Sequence, residues 1–126
     1  MGRVDGKVVV VTGAASGLGA ADSSRLAEEG AKVVMTDIND DAGAQLAESI
    51  GAEYRHQDVA DEAGWQALID HIMQAYGRLD VLVNNAGIAY VANIEQTTTE
   101  QWRRTLAIHL DATFFGCQAA IPAMQE

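Results

Sequence analysis

Cysteine, basic side chains and long apolar runs are all scarce in this sequence of 126 residues. A single cysteine, Cys117, excludes an internal disulfide and agrees with a reducing compartment such as the cytoplasm. With 8 Lys and Arg against 18 Asp and Glu, the net charge is −10, which argues against nucleic acid or an anionic membrane surface as partner. No apolar run approaches the roughly 20 residues of a membrane span, and residues 1–6 do not have the apolar core of a signal peptide.

Apolar residues make up 48% of the sequence and recur with alternating periods along it. Short aliphatic runs predict strands, and longer segments with apolar residues three and four apart predict helices. Strands that alternate with helices indicate an α/β protein of one domain, with a parallel sheet and right-handed crossovers. The predicted strands are 7–12, 32–37, 53–58 and 79–84, and the predicted helices are 17–29, 40–49, 61–76 and 99–123.

A glycine-rich segment, residues 12–19, follows the first predicted strand and reads Thr-Gly-Ala-Ala-Ser-Gly-Leu-Gly. In such a turn Gly13 permits the sharp exit from the strand, and Gly17 lets backbone N–H groups approach phosphates. Gly19 lets the next helix pack closely on the sheet. The segment therefore predicts a pyrophosphate-binding loop, with an ordinary tight turn as the alternative.

Asp37 closes the second aliphatic run, about 20 residues beyond the glycines, where a dinucleotide site places a carboxylate on the adenosine ribose hydroxyls. Its next neighbour is Ile38, and the glycine-rich segment contains no Lys or Arg. A 2′-phosphate would meet this carboxylate without a basic partner, a like-charge contact that costs on the order of several kcal/mol. Asp37 therefore predicts NAD rather than NADP, and the alternative is a solvated strand end.

Four features in a fixed order carry a resemblance to a known family. They are the TGxxxGxG form of residues 12–19, Asp37, the pair Asp58-Val59 after the third strand, and Asn84-Asn85-Ala86-Gly87 after the fourth. Taken alone, the last of these could be an Asn-rich turn. In combination they resemble the amino-terminal half of the short-chain dehydrogenase/reductase family. The resemblance runs from residue 4 to residue 124, and residues 114–124 look most like bacterial hydroxysteroid and secondary-alcohol dehydrogenases.

The resemblance implies a Rossmann-type, doubly wound parallel sheet with strand order 3-2-1-4, whose later strands would follow residue 126. Residues 1–126 would form an NAD-binding domain that is incomplete at its carboxyl end. By the resemblance, the pyrophosphate and adjacent ribose would be held by Gly13, Ser16, Gly17, Leu18 and Gly19, and the adenosine ribose would be held by Asp37. Asp58 and Val59 would flank the adenine. The cofactor near the fourth strand would be lined by Asn85, Ala86 and Gly87.

The family's catalytic half has no counterpart in this sequence. There a Ser polarises the substrate oxygen, and a Tyr with a Lys four residues later transfers the proton, since hydride transfer at a C–O group needs an acid/base near the working pH. The residues four after Tyr54, Tyr76 and Tyr90 are Asp58, Asp80 and Ile94. We therefore expect an amino-terminal half that does not catalyse the reaction alone.

One catalytic position of the family has a counterpart here. The family carries an Asn in its last helix of this half, whose backbone carbonyl holds a water of the proton relay, and His109 stands at that position. A histidine keeps the carbonyl but changes the size and possible charge of the side chain. It is either part of a modified relay or a helix-packing residue.

No metal is implied, because His56 and His71 have no neighbours at metal-ligand spacing.

The predicted last helix is apolar on more than one face. One stripe comprises Trp102, Leu106, His109, Leu110, Thr113, Phe114, Cys117 and Ile121, and a second comprises Ile108, Ala112, Phe115 and Ala119. Such a helix favours two partners, its own sheet and another subunit. The resemblance implies the same, since this helix forms a dimer interface in the family. We expect a homo-oligomer through this helix.

Asp22 lies on the same face of the first predicted helix as Leu18 and Leu26. A carboxylate buried against the sheet would cost several kcal/mol unless it were paired. Near the helix start it could reach solvent instead, where it would repel a bound pyrophosphate. We interpret Asp22 as a weakening of the site.

The leading hypothesis is an NAD-dependent oxidoreductase that acts on a small-molecule secondary alcohol or the matching ketone. The alternative is a non-catalytic dinucleotide-binding or assembly module. The methyltransferase fold also combines a glycine-rich first turn with an acidic residue at the end of the second strand. The TGxxxGxG spacing and Asn84-Asn85-Ala86-Gly87 do not favour that fold. The sequence does not specify the substrate, because fold-level analogy cannot do so.

Overall fold

Four parallel strands form one sheet in the computed structural model, which describes residues 2–126. The strands are β1 (Val8–Thr12), β2 (Lys32–Asp37), β3 (Glu53–His56) and β4 (Val81–Val83). They lie in the order β3-β2-β1-β4, and Val9 of β1 is in register with Val33 of β2 and with Val81 of β4. The predicted order 3-2-1-4 is confirmed.

Five helices connect or follow the strands. They are α1 (Gly17–Glu28), α2 (Asp40–Ile50), α3 (Glu62–Tyr76), α4 (Thr99–Leu106) and α5 (Ala112–Met124). Helix α4 begins with a capping box, in which the Thr98 side chain accepts from the Gln101 N–H and the Gln101 side chain accepts from the Thr98 N–H. No helix within residues 2–126 combines the length and apolar character that crossing a membrane requires.

The helix predicted over 99–123 is present, but its middle is not a regular α-helix. A π-helical segment, Ala107–Asp111, joins α4 to α5. Such a segment inserts one extra residue into a helical turn and rotates the following side chains around the axis, and it often occurs at functional sites. The apolar spacing of the sequence gives no sign of it, since both α4 and α5 continue the same general pattern.

Alternate residues of the sheet supply two separate cores. Val8 and Val10 of β1 pack with α3 and α5, around the buried side chains of Trp65 and Ile72. Val9 and Val11, on the other face of the same strand, pack with residues of α1 and α2. Both faces of a parallel sheet must be covered by helices because the strands are apolar on both sides. The doubly wound arrangement is therefore confirmed.

Two predicted strands, 53–58 and 79–84, are shorter than expected: β3 loses two residues at its carboxyl end, and β4 loses two at its amino end and one at its carboxyl end. β3 ends at His56, and the N–H of Gln57 turns to the Asp37 carbonyl oxygen at 2.9 Å. β4 ends at Val83, and the N–H of Asn85 donates to the Thr12 hydroxyl at 3.0 Å. These early exits bring the following residues together at one edge of the sheet.

The two predicted apolar stripes of the last helix separate clearly in the fold. Residues of the second stripe, with Ile108 and Ala112 only 6% and 3% exposed, face the sheet and α3. The first stripe faces outward, and its large members are 50–63% exposed: Trp102, Leu110, Phe114 and Ile121. The molecule thus presents an apolar outer face along α4 and α5.

Candidate functional site

The carboxyl ends of the strands open into one cleft of about 390 Å³, within the size range of small-molecule sites. Parallel α/β sheets bind their ligands at this edge because helix starts and strand ends converge there. The lining residues come from the ends of all four strands and from the helical region after β4. They are Gly13, Ser16, Leu18, Asp37, Ile38, Gln57, Asp58, Val59, Asn85, Ala86, Gly87, Ile88, Arg104 and Ile108.

The three glycines of the loop after β1 are required for different reasons. Gly13 has a φ of +62°, and a Cβ there would lie 2.8 Å from the Cα of Ala86. A Cβ on Gly19 would collide with the Gly13 carbonyl oxygen and with the Asn85 side chain. Gly17 has open space around it but a φ of +57°, which L side chains rarely adopt. The loop is therefore held against the segment after β4 with no room for a side chain at position 13 or 19.

The start of α1 has the character of an anion site. Its N-cap residue, Ser16, makes no side-chain capping hydrogen bond, and the first turn contains no acidic residue. The N–H groups of this turn have no partner inside the helix, and they carry the positive end of the helix dipole. Ser16 and Leu18 line the cleft, so this helix start faces it.

Thr12 and Asn85 fix the loop after β1 to the loop after β4. The Thr12 hydroxyl accepts the N–H groups of Asn85 and Ala86, each at 3.0 Å. In return, the Asn85 side-chain amide donates to the carbonyl oxygens of Thr12 at 3.0 Å and Gly13 at 3.2 Å. Thr12 is only 1% exposed, so these bonds form away from competing water. Asn85 thus shapes the glycine loop as well as lining the cleft.

The carboxylate of Asp37 is anchored by the backbone around it. Its Oδ2 accepts the Ala15 N–H of the glycine loop at 2.9 Å. Its Oδ1 accepts the N–H groups of Ile38 at 2.7 Å and Asn39 at 3.0 Å. Oδ1 thus uses both of its lone-pair sites, whereas Oδ2 accepts one N–H and has further lone-pair capacity. A fixed negative charge therefore lines the cleft beside the glycine loop, with room to accept hydroxyl donors.

The end of the cleft beyond Asp37 combines apolar walls with polar groups. Val59 and Ile108 line it and are each 6% exposed. Arg104 places Nη2 3.4 Å from Oδ2 of Asp58, and both side chains are 40% exposed. Gln57 is 7% exposed, and its amide nitrogen and oxygen have no hydrogen-bond partner in the described part of the chain.

His109 lies in the π-helical segment, outside the residues that line the cleft. Its Nε2 is 2.7 Å from the carbonyl oxygen of Ile88 and 3.1 Å from the Ile88 nitrogen. One ring nitrogen serves either as donor to the carbonyl or as acceptor from the N–H, depending on the tautomer. Its own carbonyl oxygen accepts the Thr113 hydroxyl at 2.9 Å. The imidazole thus holds Ile88, which does line the cleft.

Asp22 is exposed on α1, and the neighbouring Ser23 is the residue that packs inward, with its hydroxyl donating to the Gly19 carbonyl oxygen at 2.8 Å. Leu18 is likewise 77% exposed. Leu26, the third residue of the predicted face, packs against the core, but Asp22 itself is exposed and avoids the cost of burial. Its suggested effect on a bound pyrophosphate stays a prediction.

Comparison with known proteins identifies the family. The family model for short chain dehydrogenases matches residues 7–126. The chain belongs to the short-chain dehydrogenase family. A short-chain dehydrogenase/reductase of the glucose/ribitol dehydrogenase type from Brucella melitensis superposes with a TM-score of 0.94 at 28% identity, over 98% of this chain and 54% of that one.

Named relatives within the short-chain dehydrogenase family are oxidoreductases. The NADP-dependent (R)-specific alcohol dehydrogenase of Lentilactobacillus kefiri is 44% identical over 98% of this chain and 51% of its own length. The 3-alpha-(or 20-beta)-hydroxysteroid dehydrogenase of Mycobacterium bovis is 42% identical over 99% of this chain and 49% of its own. The chain spans about half the length of the curated relatives it matches. The expected resemblance to this family is confirmed.

The cleft brings together most of the residues predicted to bind the cofactor. The exceptions are Gly17 and Gly19, which shape the loop and the helix start without lining the cleft. Sequence reasoning missed five lining residues: Ile38, Gln57, Ile88, Arg104 and Ile108. Gln57 and Ile38 adjoin predicted residues and could have been noted, but Arg104 and Ile108 reach the cleft only through tertiary packing. No group of three or more His, Cys, Asp or Glu within residues 2–126 could hold a metal ion.

Proposed function

We propose that this chain is the NAD-binding part of an oxidoreductase that transfers hydride between NAD(H) and a secondary alcohol or the matching ketone. The observation that carries the proposal is the position of Asp37, whose carboxylate lines the same cleft as the glycine loop and accepts the Ala15 N–H of that loop. A phosphate-binding helix start and a ribose-binding carboxylate at one cleft are the two recognition elements of a dinucleotide. The residues present therefore fit the cofactor.

The preference for NAD over NADP rests on charge. Among the lining residues, all of which fall within the described range, Arg104 is the only cation, and it lies against Asp58. A 2′-phosphate at the ribose that Asp37 binds would face this carboxylate, at a cost on the order of several kcal/mol. The Lentilactobacillus kefiri relative is NADP-dependent by name. Family membership therefore does not decide between NAD and NADP, and the preference depends on the residues around the adenosine ribose.

In the proposed mechanism this chain binds and orients the cofactor. The N–H groups at the start of α1 hold the pyrophosphate, and Asp37 accepts the adenosine ribose hydroxyls. Val59 and Ile108 exclude water from the base, while Asn85 keeps the glycine loop closed against the segment after β4. When bound, the cofactor supplies a nicotinamide ring that gives or takes a hydride. Since residues 1–126 contain no Tyr followed four residues later by Lys, we propose that they bind NAD without turnover.

The ribose assignment is tested by Asp37→Asn, which removes the charge and keeps one acceptor oxygen. We expect NAD affinity to fall roughly 10- to 100-fold, because bonds to an ionised acceptor contribute about 1.5–3 kcal/mol. NADP affinity should hold or rise, since the repulsion is gone. Calorimetric titration with both cofactors gives the ratio. Asp41→Asn, an exposed change of the same charge in the first turn of α2, is the matched control.

The result has two informative alternatives. A general collapse of the loop would weaken NAD and NADP by the same factor, which would contradict a direct contact between Asp37 and the ribose. Unchanged affinities for both cofactors in Asp37→Asn would contradict any role of Asp37 in binding them.

We also propose that the outer face of α4 and α5 joins two copies of the chain. Trp102, Leu110 and Phe114 are 59–63% exposed there, and exposed apolar groups of this size mark interaction surfaces. This face also favours the alternative of a dinucleotide-binding assembly module. Light scattering on Phe114→Glu should show a smaller particle than the parent protein, whereas an unchanged mass would contradict this interface.

A further inference from the structure

Two tyrosines donate to carboxylates, and both contacts fasten the edge strand β3 to a helix. The Tyr54 hydroxyl of β3 lies 2.7 Å from Oδ1 of Asp40, at the start of α2. On the other face of the sheet, the Tyr76 hydroxyl of α3 donates to Oε1 of Glu53 at 2.6 Å. Burial, and then the bond to its carboxylate, raises the pKa of each phenol, so both remain donors at neutral pH. The two contacts are alike in chemistry and differ in what lies beside them.

Tyr54 has a second acceptor, and this one belongs to the proposed ribose site. Its hydroxyl lies 2.8 Å from the backbone carbonyl oxygen of Asp37, so one proton is shared between this carbonyl and the Asp40 carboxylate. Tyr76 has no such second contact among residues 2–126. Tyr54 thus joins Asp37 to Asp40, the first and last residues of the turn between β2 and α2.

His56 adds a tie to the same carboxylate. It lies two residues beyond Tyr54 on the same face of β3, and its Nδ1 is 2.8 Å from Oδ1 of Asp40. The hydrogen bonds from Tyr54 and then from His56 hold the pKa of Asp40 below its usual value. Since an ionised carboxylate only accepts, Nδ1 carries the proton. The side chains of His56 and Asp40 are both more than half exposed, so the half-buried Tyr54 is the stronger tie.

Helix α2 is shaped to admit the Tyr54 ring. A Cβ on Gly43 would collide with this ring, and glycine within a helix is unfavourable relative to alanine. The ring also packs against the core formed by α1, α2 and the sheet, where Met35 of β2 is its register partner. The position of the hydroxyl is therefore fixed by packing as well as by its hydrogen bonds.

The turn that Tyr54 holds also sets the direction of the Asp37 carboxylate. Oδ1 of Asp37 accepts the N–H groups of Ile38 and Asn39, the two residues inside the turn. Tyr54 restrains both ends of the turn, at the Asp37 carbonyl oxygen and at the Asp40 carboxylate. A continuous path of hydrogen bonds therefore leads from the phenol to the carboxylate that lines the cleft.

We propose that Tyr54 is a positioning residue for cofactor binding, which holds the turn of residues 37–40 so that Asp37 meets the ribose in a fixed direction. Tyr54 does not line the cleft and acts through Asp37. The proposal rests on the proposed ribose contact of Asp37 and deepens it, since it identifies what fixes that contact. A group held in its binding direction binds more tightly because less freedom is lost on binding.

A double-mutant cycle tests whether Tyr54 acts through Asp37. NAD is titrated calorimetrically into the parent protein, Tyr54→Phe, Asp37→Ala and the double variant. Tyr76→Phe is the matched control, because it removes the hydroxyl of the other half-buried tyrosine that donates to a carboxylate. Thermal unfolding without ligand reports separately how much each lost hydrogen bond weakens the fold.

Tyr54→Phe should bind NAD roughly three- to tenfold more weakly than the parent, the effect of one hydrogen bond. Tyr76→Phe should keep the parent affinity, although both variants should melt at a lower temperature. In the Asp37→Ala background, Tyr54→Phe should change the NAD affinity by less than about twofold, because no carboxylate remains to be positioned.

A second pair of variants repeats the test without altering the ring. Asp40→Ala removes the acceptor that Tyr54 and His56 share, and Asp41→Ala removes the neighbouring exposed carboxylate of the same helical turn. Asp40→Ala should weaken NAD binding as Tyr54→Phe does, and again not in the Asp37→Ala background. Asp41→Ala should keep the parent affinity, which separates the loss of the tie from the loss of a charge.

The other outcomes overturn the proposal at distinguishable levels. Unchanged NAD affinity in Tyr54→Phe and Asp40→Ala refutes the positioning role. A loss by the same factor in the Asp37→Ala background, or an equal loss in Tyr76→Phe, shows that Tyr54 supports the fold as a whole and refutes it too. Both results leave the proposed function intact. A parent that does not bind NAD, or an Asp37→Ala variant with the parent affinity, refutes the proposed ribose contact and this inference with it.

Discussion

The two ends of the cleft differ in how their polar groups are satisfied. At the end formed by the glycine loop, the Asp37 carboxylate accepts three backbone N–H groups, and Thr12 and Asn85 exchange hydrogen bonds across two loops. At the end formed by the segment after β3, the Gln57 amide has no partner in the described chain, and the contact between Arg104 and Asp58 is long at 3.4 Å. One end is fixed by hydrogen bonds within the protein, and the other end has fewer of them.

The fixed end suits the recognition of the pyrophosphate and ribose. Groups that bind these invariant parts of the ligand are best held rigidly, because preorganisation lowers the cost of ordering on binding. Substitutions at the fixed end should therefore change stability and cofactor binding together.

The largest effect is expected at Gly19. In Gly19→Ala the new Cβ meets the Gly13 carbonyl oxygen and the Asn85 side chain, so the fixed end must open. We expect a loss of about 2–3 kcal/mol in unfolding free energy, in the range of overpacked sites, together with loss of NAD binding. Urea unfolding measures the change in unfolding free energy. Gly51→Ala, with a φ of +75° but open space, should cost only about 1 kcal/mol and keep binding.

Thr12→Val should have the next largest effect on the unfolding free energy, and Thr36→Val is its matched control. Both threonines are buried at 0–1% exposure on neighbouring strands. Valine at 12 leaves the Ala86 N–H without its acceptor and the Asn85 N–H with only the Val83 carbonyl oxygen, which should cost about 1–3 kcal/mol. Valine at 36 removes a hydroxyl that has no partner among the described residues, so the unfolding free energy should hold or rise. Equal losses in both variants would contradict the comparison.

A smaller effect is expected at the opposite edge of the sheet, where Asp80 accepts from Arg78 and from the Val8 N–H at 2.8 Å. The hydrogen bonds from Arg78 and then from Val8 hold the pKa of Asp80 below its usual value. A lowered folded-state pKa stabilises the protein above the unfolded-state pKa of about 3.9, and this stabilisation is lost as the pH falls below it.

Asp80→Asn should therefore lower the unfolding free energy by about 1 kcal/mol at pH 7. Urea unfolding measured from pH 2 to 7 should show a smaller loss of stability on the acid side than in the parent protein. NAD affinity at pH 7 should not change, because the cleft lies at the other edge of the sheet. Asp111→Asn, an exposed change of the same charge, should leave the loss of stability at low pH as it is. If Asp80→Asn loses as much stability at low pH as the parent protein does, the pH dependence comes from other groups.

The smallest effect is expected at His109, which contacts the cleft only through Ile88. His109→Ala should cost about 0.5–1 kcal/mol in stability for one lost hydrogen bond. NAD affinity should fall no more than a few-fold, as the loop after β4 relaxes. A hundredfold loss of affinity with unchanged stability would show that the imidazole itself contacts the cofactor and would contradict a positioning role.

Much of the fixed end could be predicted from the sequence because its signals are local. The glycine spacing, the first two aliphatic strands and Asp37 all lie in the range 7–37, and each has one dominant structural explanation. The strand order followed from the family resemblance and is confirmed. The assignment of individual residues to the cofactor remains a proposal.

The end formed by the segment after β3 could not be predicted in the same way because it depends on distant packing. Arg104 and Asp58 are 46 positions apart, and only the tertiary position of α4 brings them together. The π-helical segment that positions Ile108 and His109 has no signature in apolar spacing. The burial of Gln57 was equally hidden, since a glutamine at a strand end is more often exposed.

The most direct test of this account is a structure of the protein with NAD bound. We predict the pyrophosphate at the N–H groups that begin α1, the adenosine ribose hydroxyls on the carboxylate of Asp37, and the adenine between Val59 and Ile108. The backbone of the glycine loop should match the ligand-free structure. A dinucleotide bound elsewhere, or one whose ribose does not contact Asp37, would contradict the account.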